Sequence, residues 1–104
     1  MTDLPTDPVV AAFVAAINAG DRAAFDATLA PEVTMSDDGT TRDLNTWVDK
    51  EIFSADGRMT VDSEEDGGRS LLATFTNSTW GAMRTRWRFT VVDGKITRFD
   101  TGQA

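Results

Sequence analysis

The chain has 104 residues, enough for one hydrophobic core and too few for two. It contains no cysteine, histidine or tyrosine, which excludes disulfides, thiolate zinc sites, thiol nucleophiles, imidazole bases and phenolic acids. A net charge of −7 repels a phosphate backbone, and no stretch approaches the roughly 20 apolar residues of a membrane span, so neither nucleic acid nor membrane is an expected partner.

Residues 2–7 are polar and contain a proline, so residues 1–7 read as a flexible N-terminal arm, with residues 8–104 forming a single domain. No basic region followed by an apolar run opens the chain, and a cytoplasmic location is the expectation. Asp7-Pro8 supplies an N-cap and a proline at the first helical position. Val9, Val10, Phe13, Val14 and Ile17 then recur at helical spacing up to Asn18-Ala19-Gly20. Asp21 caps a short second helix with Phe25 and Leu29 on one face and Pro31 just past its end. From Glu32 the period becomes that of a strand, placing Val33, Met35 and Asp37 on one side, and Asp38-Gly39 marks a turn. A third helix carries Leu44, Trp47, Val48, Glu51 and Ile52 on one side and ends at Asp56-Gly57. A meander of strands follows. Met59 and Val61 alternate with polar residues before the turn at Glu65-Asp66-Gly67-Gly68. Leu71, Ala73 and Phe75 alternate next, then Met83, Thr85, Trp87, Phe89 and Val91, and Asp93-Gly94 is a hairpin turn.

Helices followed by such a meander imply an α+β domain. The expected architecture is three N-terminal helices packed on a curved antiparallel sheet. The order of elements resembles the nuclear transport factor 2-like superfamily, which includes ketosteroid isomerases and SnoaL-like polyketide cyclases. The residues that carry the resemblance are 13–21 (FVAAINAGD), Phe25 through Leu29, 31–37 (PEVTMSD) and the closing 91–96 (VVDGKI). It implies a cone with an internal pocket for a small hydrophobic molecule, and a homodimer. Ketosteroid isomerase uses an aspartate base with a tyrosine and a protonated aspartic acid that bind the oxyanion. The base position matches Asp37. The tyrosine position falls on Phe13, and the acid position on Trp87, or on Arg86 if no gap is allowed. Two of the three roles depart from that pattern, so steroid isomerisation by that route is not expected.

Asp37 is the leading catalytic candidate. On one strand face with Val33 and Met35 it points inward, and burial of an unpaired carboxylate would raise its pKa toward that of a general base. The competing reading has it capping the turn at Asp38-Gly39. Trp87 offers one indole donor for an oxyanion, and Asn77, on the Phe75 side of its strand, offers an amide; a core aromatic and a strand-end hydrogen bond are the alternatives. Phe13, Met35, Met59 and Phe89 are the expected ligand-binding wall. Arg84, Arg86 and Arg88 form a stripe on the opposite sheet face, solvated or facing a second copy. No metal site is expected, since Asp62, Glu64, Glu65 and Asp66 match no calcium-loop spacing, and no cofactor is expected. Two functions stay open. One is an isomerase, cyclase or aldol-type enzyme that acts on a hydrophobic carbonyl compound. The other is a non-catalytic ligand-binding or dimerisation module.

Overall fold

The computed structural model describes residues 5–104. Asp7 accepts from the N–H groups of Val9 and Val10 and so starts α1 (Pro8–Ala19). Gly20, at φ 65°, ends it in the left-handed conformation that costs glycine least. Asp21 caps α2 (Arg22–Ala27) through the N–H of Ala24. Of the expected arm, residues 1–4 lie outside the described part, while Thr6 and Asp7 are tied down. The Thr6 N–H and hydroxyl donate to the Glu64 carboxylate, and Asp7 pairs with Arg69 at 2.9 Å.

Strand β1 (Leu29–Asp37) begins three residues before the change of period at Glu32. Leu29, placed on the second helix by its spacing, instead pairs with Ile96 on the last strand. Pro31 lacks an N–H, and the ladder is irregular between Leu29 and Thr34. Around Asp38-Gly39 the chain turns into the short β2 (Thr40–Arg42). Asp43 caps α3 (Leu44–Val48), which widens into a π turn over Asp49–Phe53. The single helix expected to run to Asp56 is therefore split. Its last bonds reach five residues back, from Ser54 N–H to Asp49 O and from Gly57 N–H to Ile52 O. Only glycine fits at position 57, because a Cβ there would lie 2.9 Å from the Ile52 Cα.

The meander comprises β3 (Arg58–Glu65), β4 (Ser70–Asn77), β5 (Gly81–Val92) and β6 (Lys95–Gln103). The sheet order is β2-β1-β6-β5-β4-β3, and the curved sheet does not close on itself. The expectation of a wholly antiparallel sheet needs one correction: β1 and β6 run parallel. The chain leaves β1 through β2 and α3 for the far edge, and three antiparallel steps bring β6 back beside β1 in the same direction. A long crossover through a helix is what a parallel neighbour requires.

Alternation decides the two sheet faces. Leu71, Ala73 and Phe75 on β4 and Thr85, Trp87 and Phe89 on β5 are buried, while Arg84, Arg86 and Arg88 are exposed. Val10, Phe13, Val14 and Ile17 of α1 pack on the buried face. Phe13 is at the centre, with ring centroids 4.7 Å from Phe25, 5.0 Å from Phe89 and 5.3 Å from Phe99. Asn18 fastens α1 to β3, donating to Met59 O at 2.8 Å and accepting from Met59 N–H at 2.7 Å.

Candidate functional site

Strand pairing sets one row of side chains across the inner face. Asp37 is opposite Thr101, Thr101 is opposite Trp87, and Trp87 is opposite Leu71. Paired residues share a face, so the carboxylate of Asp37 points to the same side as the buried Trp87. Helix α3 lies over the Asp37 end of this row. Its Trp47 donates from Nε1 to Asp37 Oδ2 at 3.0 Å and meets the Trp87 ring edge-on at 6.3 Å. The α3 start is held by Asp43. Hydrogen bonds from the Thr46 hydroxyl and N–H keep the Asp43 carboxyl below the usual carboxylate range.

Beyond that row the inner face opens into a cleft of about 590 Å³. Its apolar wall is Trp47, Phe75, Trp80, Met83 and Trp87, and its charged groups are Asp37, Asp38, Asp43, Glu51, Arg42 and Lys50. Asp37 is half-buried, less than its place on the strand face suggested, because it is the last residue of β1 and beside the cleft. Asp38 is committed to structure: its Oδ1 accepts from Gln103 N–H at 3.0 Å, and its N–H donates to Thr101 O.

The other expected site residues divide. Trp87 is buried and lines the cleft, but its indole N–H donates to Thr85 Oγ1 at 2.8 Å, and the Thr85 hydroxyl in turn donates to Ala73 O. Asn77 is buried at the end of β4, with its amide donating to Glu51 O at 2.9 Å and its Oδ1 accepting from Trp80 N–H at 2.7 Å. It holds the β4–β5 turn against the π turn. Phe13, Met35, Met59 and Phe89 are buried in the core cluster, and none of them lines the cleft. Their side chains face the α1–sheet core and not the cleft. The cleft opens where the inner row becomes polar.

Glu51, Thr101 and Arg42 are among the cleft residues that escaped the sequence reading as site groups. Glu51 accepts from the Trp80 indole at 3.1 Å, and the two join opposite walls of the cleft. The signal was present, since Glu51 follows Trp47 by four residues and is the one acidic residue on that side of the third helix. Thr101 lines the cleft through the parallel β1–β6 pairing, which no local pattern reveals. Arg42 reaches the lining on β2, a strand too short to be read from alternation. Among the described residues no three carboxylates converge as a cation site, and no helix is long and apolar enough to cross a membrane.

No family model and no curated protein matches the sequence. Solved structures do match its shape. A nuclear transport factor 2-like protein of unknown function from Cytophaga hutchinsonii superposes with a TM-score of 0.79 at 15% identity, over 99% of this chain and 93% of that one. A candidate polyketide cyclase from Sinorhizobium meliloti gives 0.76 at 22% identity, over 95% of both chains. The Δ5-3-ketosteroid isomerase from a Mycobacterium species gives 0.73 at 18% identity, over 94% and 92%. Helices and mixed sheet are thus those of a known architecture over nearly the whole length, and the chain adopts the nuclear transport factor 2-like fold.

Proposed function

We propose that this chain is a small-molecule pocket protein of the SnoaL-like type, whose cleft takes a flat, hydrophobic, carbonyl-bearing compound, with Asp37 as its general base. The observation that carries this reading is the carboxylate of Asp37 on the wall of a 590 Å³ cleft whose apolar part is three tryptophans, Phe75 and Met83. A few polar groups in an aromatic concavity are the usual make-up of a small-molecule site. Structural neighbours described as a ketosteroid isomerase and a candidate polyketide cyclase support the same ligand class.

Chemically, one oxygen of Asp37 is held by the Trp47 indole, which leaves the other to take a proton from the carbon beside a carbonyl. The developing enolate then needs positive charge or a donor. Trp87 and Asn77, the donors expected from alternation, already spend their N–H groups inside the protein. Arg42, on the strand paired with β1, is the cation on the lining best suited to that role. The test is deuterium exchange at the α-carbon of aromatic and steroid-like ketones. Exchange by the native protein that is lost in Asp37→Asn carries the proposal, and equal exchange by both overturns the role of Asp37.

A second reading, a binder without chemistry, is favoured by the same donor inventory. Each of the three indole N–H groups bonds within the protein, so no neutral donor of that kind awaits an oxyanion. In either reading the exposed Arg84, Arg86 and Arg88 face is where a second copy docks.

A further inference from the structure

The state of the donors and acceptors around the cleft says more about its ligand than the lining alone. The indoles of Trp47 and Trp80 each end on a carboxylate, Asp37 and Glu51 respectively, and the indole of Trp87 ends on Thr85. What these residues still present to a ligand is ring faces and carboxylate lone pairs. Both carboxylates keep acceptor capacity, Asp37 after one indole bond and Glu51 after an indole bond and a long bond from the Asn77 amide to the same oxygen, since a carboxylate has about four lone-pair sites. The remaining acids on the lining are engaged: Asp43 caps α3 and Asp38 holds Gln103 N–H. Asp37 is on β1 and Glu51 is tied through Asn77 to β4, with β6 and β5 between, so the two acceptors serve different ends of the cleft.

The Glu51 end carries the exposed indole of Trp80. Trp80 is 61% exposed, an unusual state for an indole, and is held in place by its bond to Glu51. A ring face beside a carboxylate attracts an organic cation twice over, through the ring quadrupole and through the charge. We propose that the Trp80–Glu51 pair is a recognition site for a protonated amine, so that the cleft selects flat apolar ligands that carry an ammonium group. This rests on the pocket reading above and adds the ligand's charge to it. Arg42 and Lys50, also on the lining, make the opposite preference the sharpest rival outcome.

Calorimetry of the full chain with naphthylmethylammonium, naphthylmethanol and naphthoate tests it, because the three probes share one aromatic body and differ in charge. The expected result is about tenfold tighter binding of the ammonium than of the alcohol, with naphthoate weakest. Glu51→Gln should remove that preference, so that ammonium and alcohol bind the variant equally. Trp80→Phe, which keeps a ring face and frees the carboxylate, should retain it, and thermal melts of both variants report folding. Equal binding of alcohol and ammonium, preference for naphthoate, or a preference indifferent to Glu51→Gln overturns the amine site and leaves the pocket standing. Binding by none of the three overturns the pocket reading as well.

Discussion

The indole N–H of Trp47 donates to a carboxylate oxygen of Asp37 at 3.0 Å, joining α3 to the end of β1 across the mouth of the cleft. This bond fixes which way the Asp37 side chain points, and it makes the third helix part of the site rather than a cover over the core. A substitution that keeps an acceptor at position 37 preserves the bond, and this separates chemistry from architecture.

Asp37→Asn should therefore fold normally and bind ligand as the native protein does, because the amide oxygen still accepts from Trp47. Any turnover of a carbonyl substrate should fall by about 100-fold or more, the usual share of a general base. Parallel measurement of melting temperature, calorimetric affinity and product formation checks all three. Undiminished turnover in the variant removes Asp37 as the base.

Asp7 should make stability fall in acid. Burial by itself pushes its carboxyl up, but the Arg69 hydrogen bond, the N–H groups of Val10 and Val9 and the Arg69 charge together bring it below 3.8. A lowered folded-state value means that the stabilisation is complete above the ordinary carboxylate pKa and is lost as pH drops through the lower one. Asp7→Ala should cost about 1 kcal/mol at neutral pH through the lost cap. The gap between variant and native protein in urea unfolding should narrow below pH 3.8. A gap that is constant with pH would exclude the ionic contribution.

Phe13→Ala should destabilise the fold by about 3–5 kcal/mol, as for other buried phenylalanines, because four aromatic rings surround it. Phe13→Leu, a milder change, should lower the melting temperature while leaving ligand affinity intact, since Phe13 is in the filled core and not on the cleft. Loss of affinity without loss of stability would return Phe13 to the binding wall.

The outer sheet face should pair two copies. Arg84 meets Asp62 at 3.5 Å within the chain, whereas among the described residues no ion pair engages Arg86 or Arg88. Light scattering at micromolar concentration should give twice the mass of the chain, and Arg86→Glu with Arg88→Glu should give the monomer. A native monomer overturns this, and a dimer unchanged by the charge reversals moves the interface elsewhere.

Much of the scaffold was legible because its signals are local. Asp7-Pro8, Asn18-Ala19-Gly20 and Asp93-Gly94 act through the backbone within one turn, and the period-2 runs of β4 and β5 reproduce the observed burial residue by residue. The third helix was legible in its start and not in its end. A π turn differs from an α turn by one residue of register, and this is decided by how Ile52 and Gly57 pack rather than by propensity.

By itself the sequence determined the absence of imidazole, thiol and phenol chemistry, the helix starts, the strand faces and the inward direction of Asp37. Each of these depends on residue type or on the geometry of a few neighbouring residues. Only the tertiary structure decided that β6 runs parallel to β1 and so sets Thr101 beside Asp37, and that Phe13, Met35, Met59 and Phe89 are in the buried core cluster and off the cleft lining. It also decided that Trp87 and Asn77 spend their donors internally and that Glu51 meets Trp80. Alternation tells which side of a sheet a residue faces; whether that side holds a cavity depends on the summed volumes of side chains brought together from distant segments.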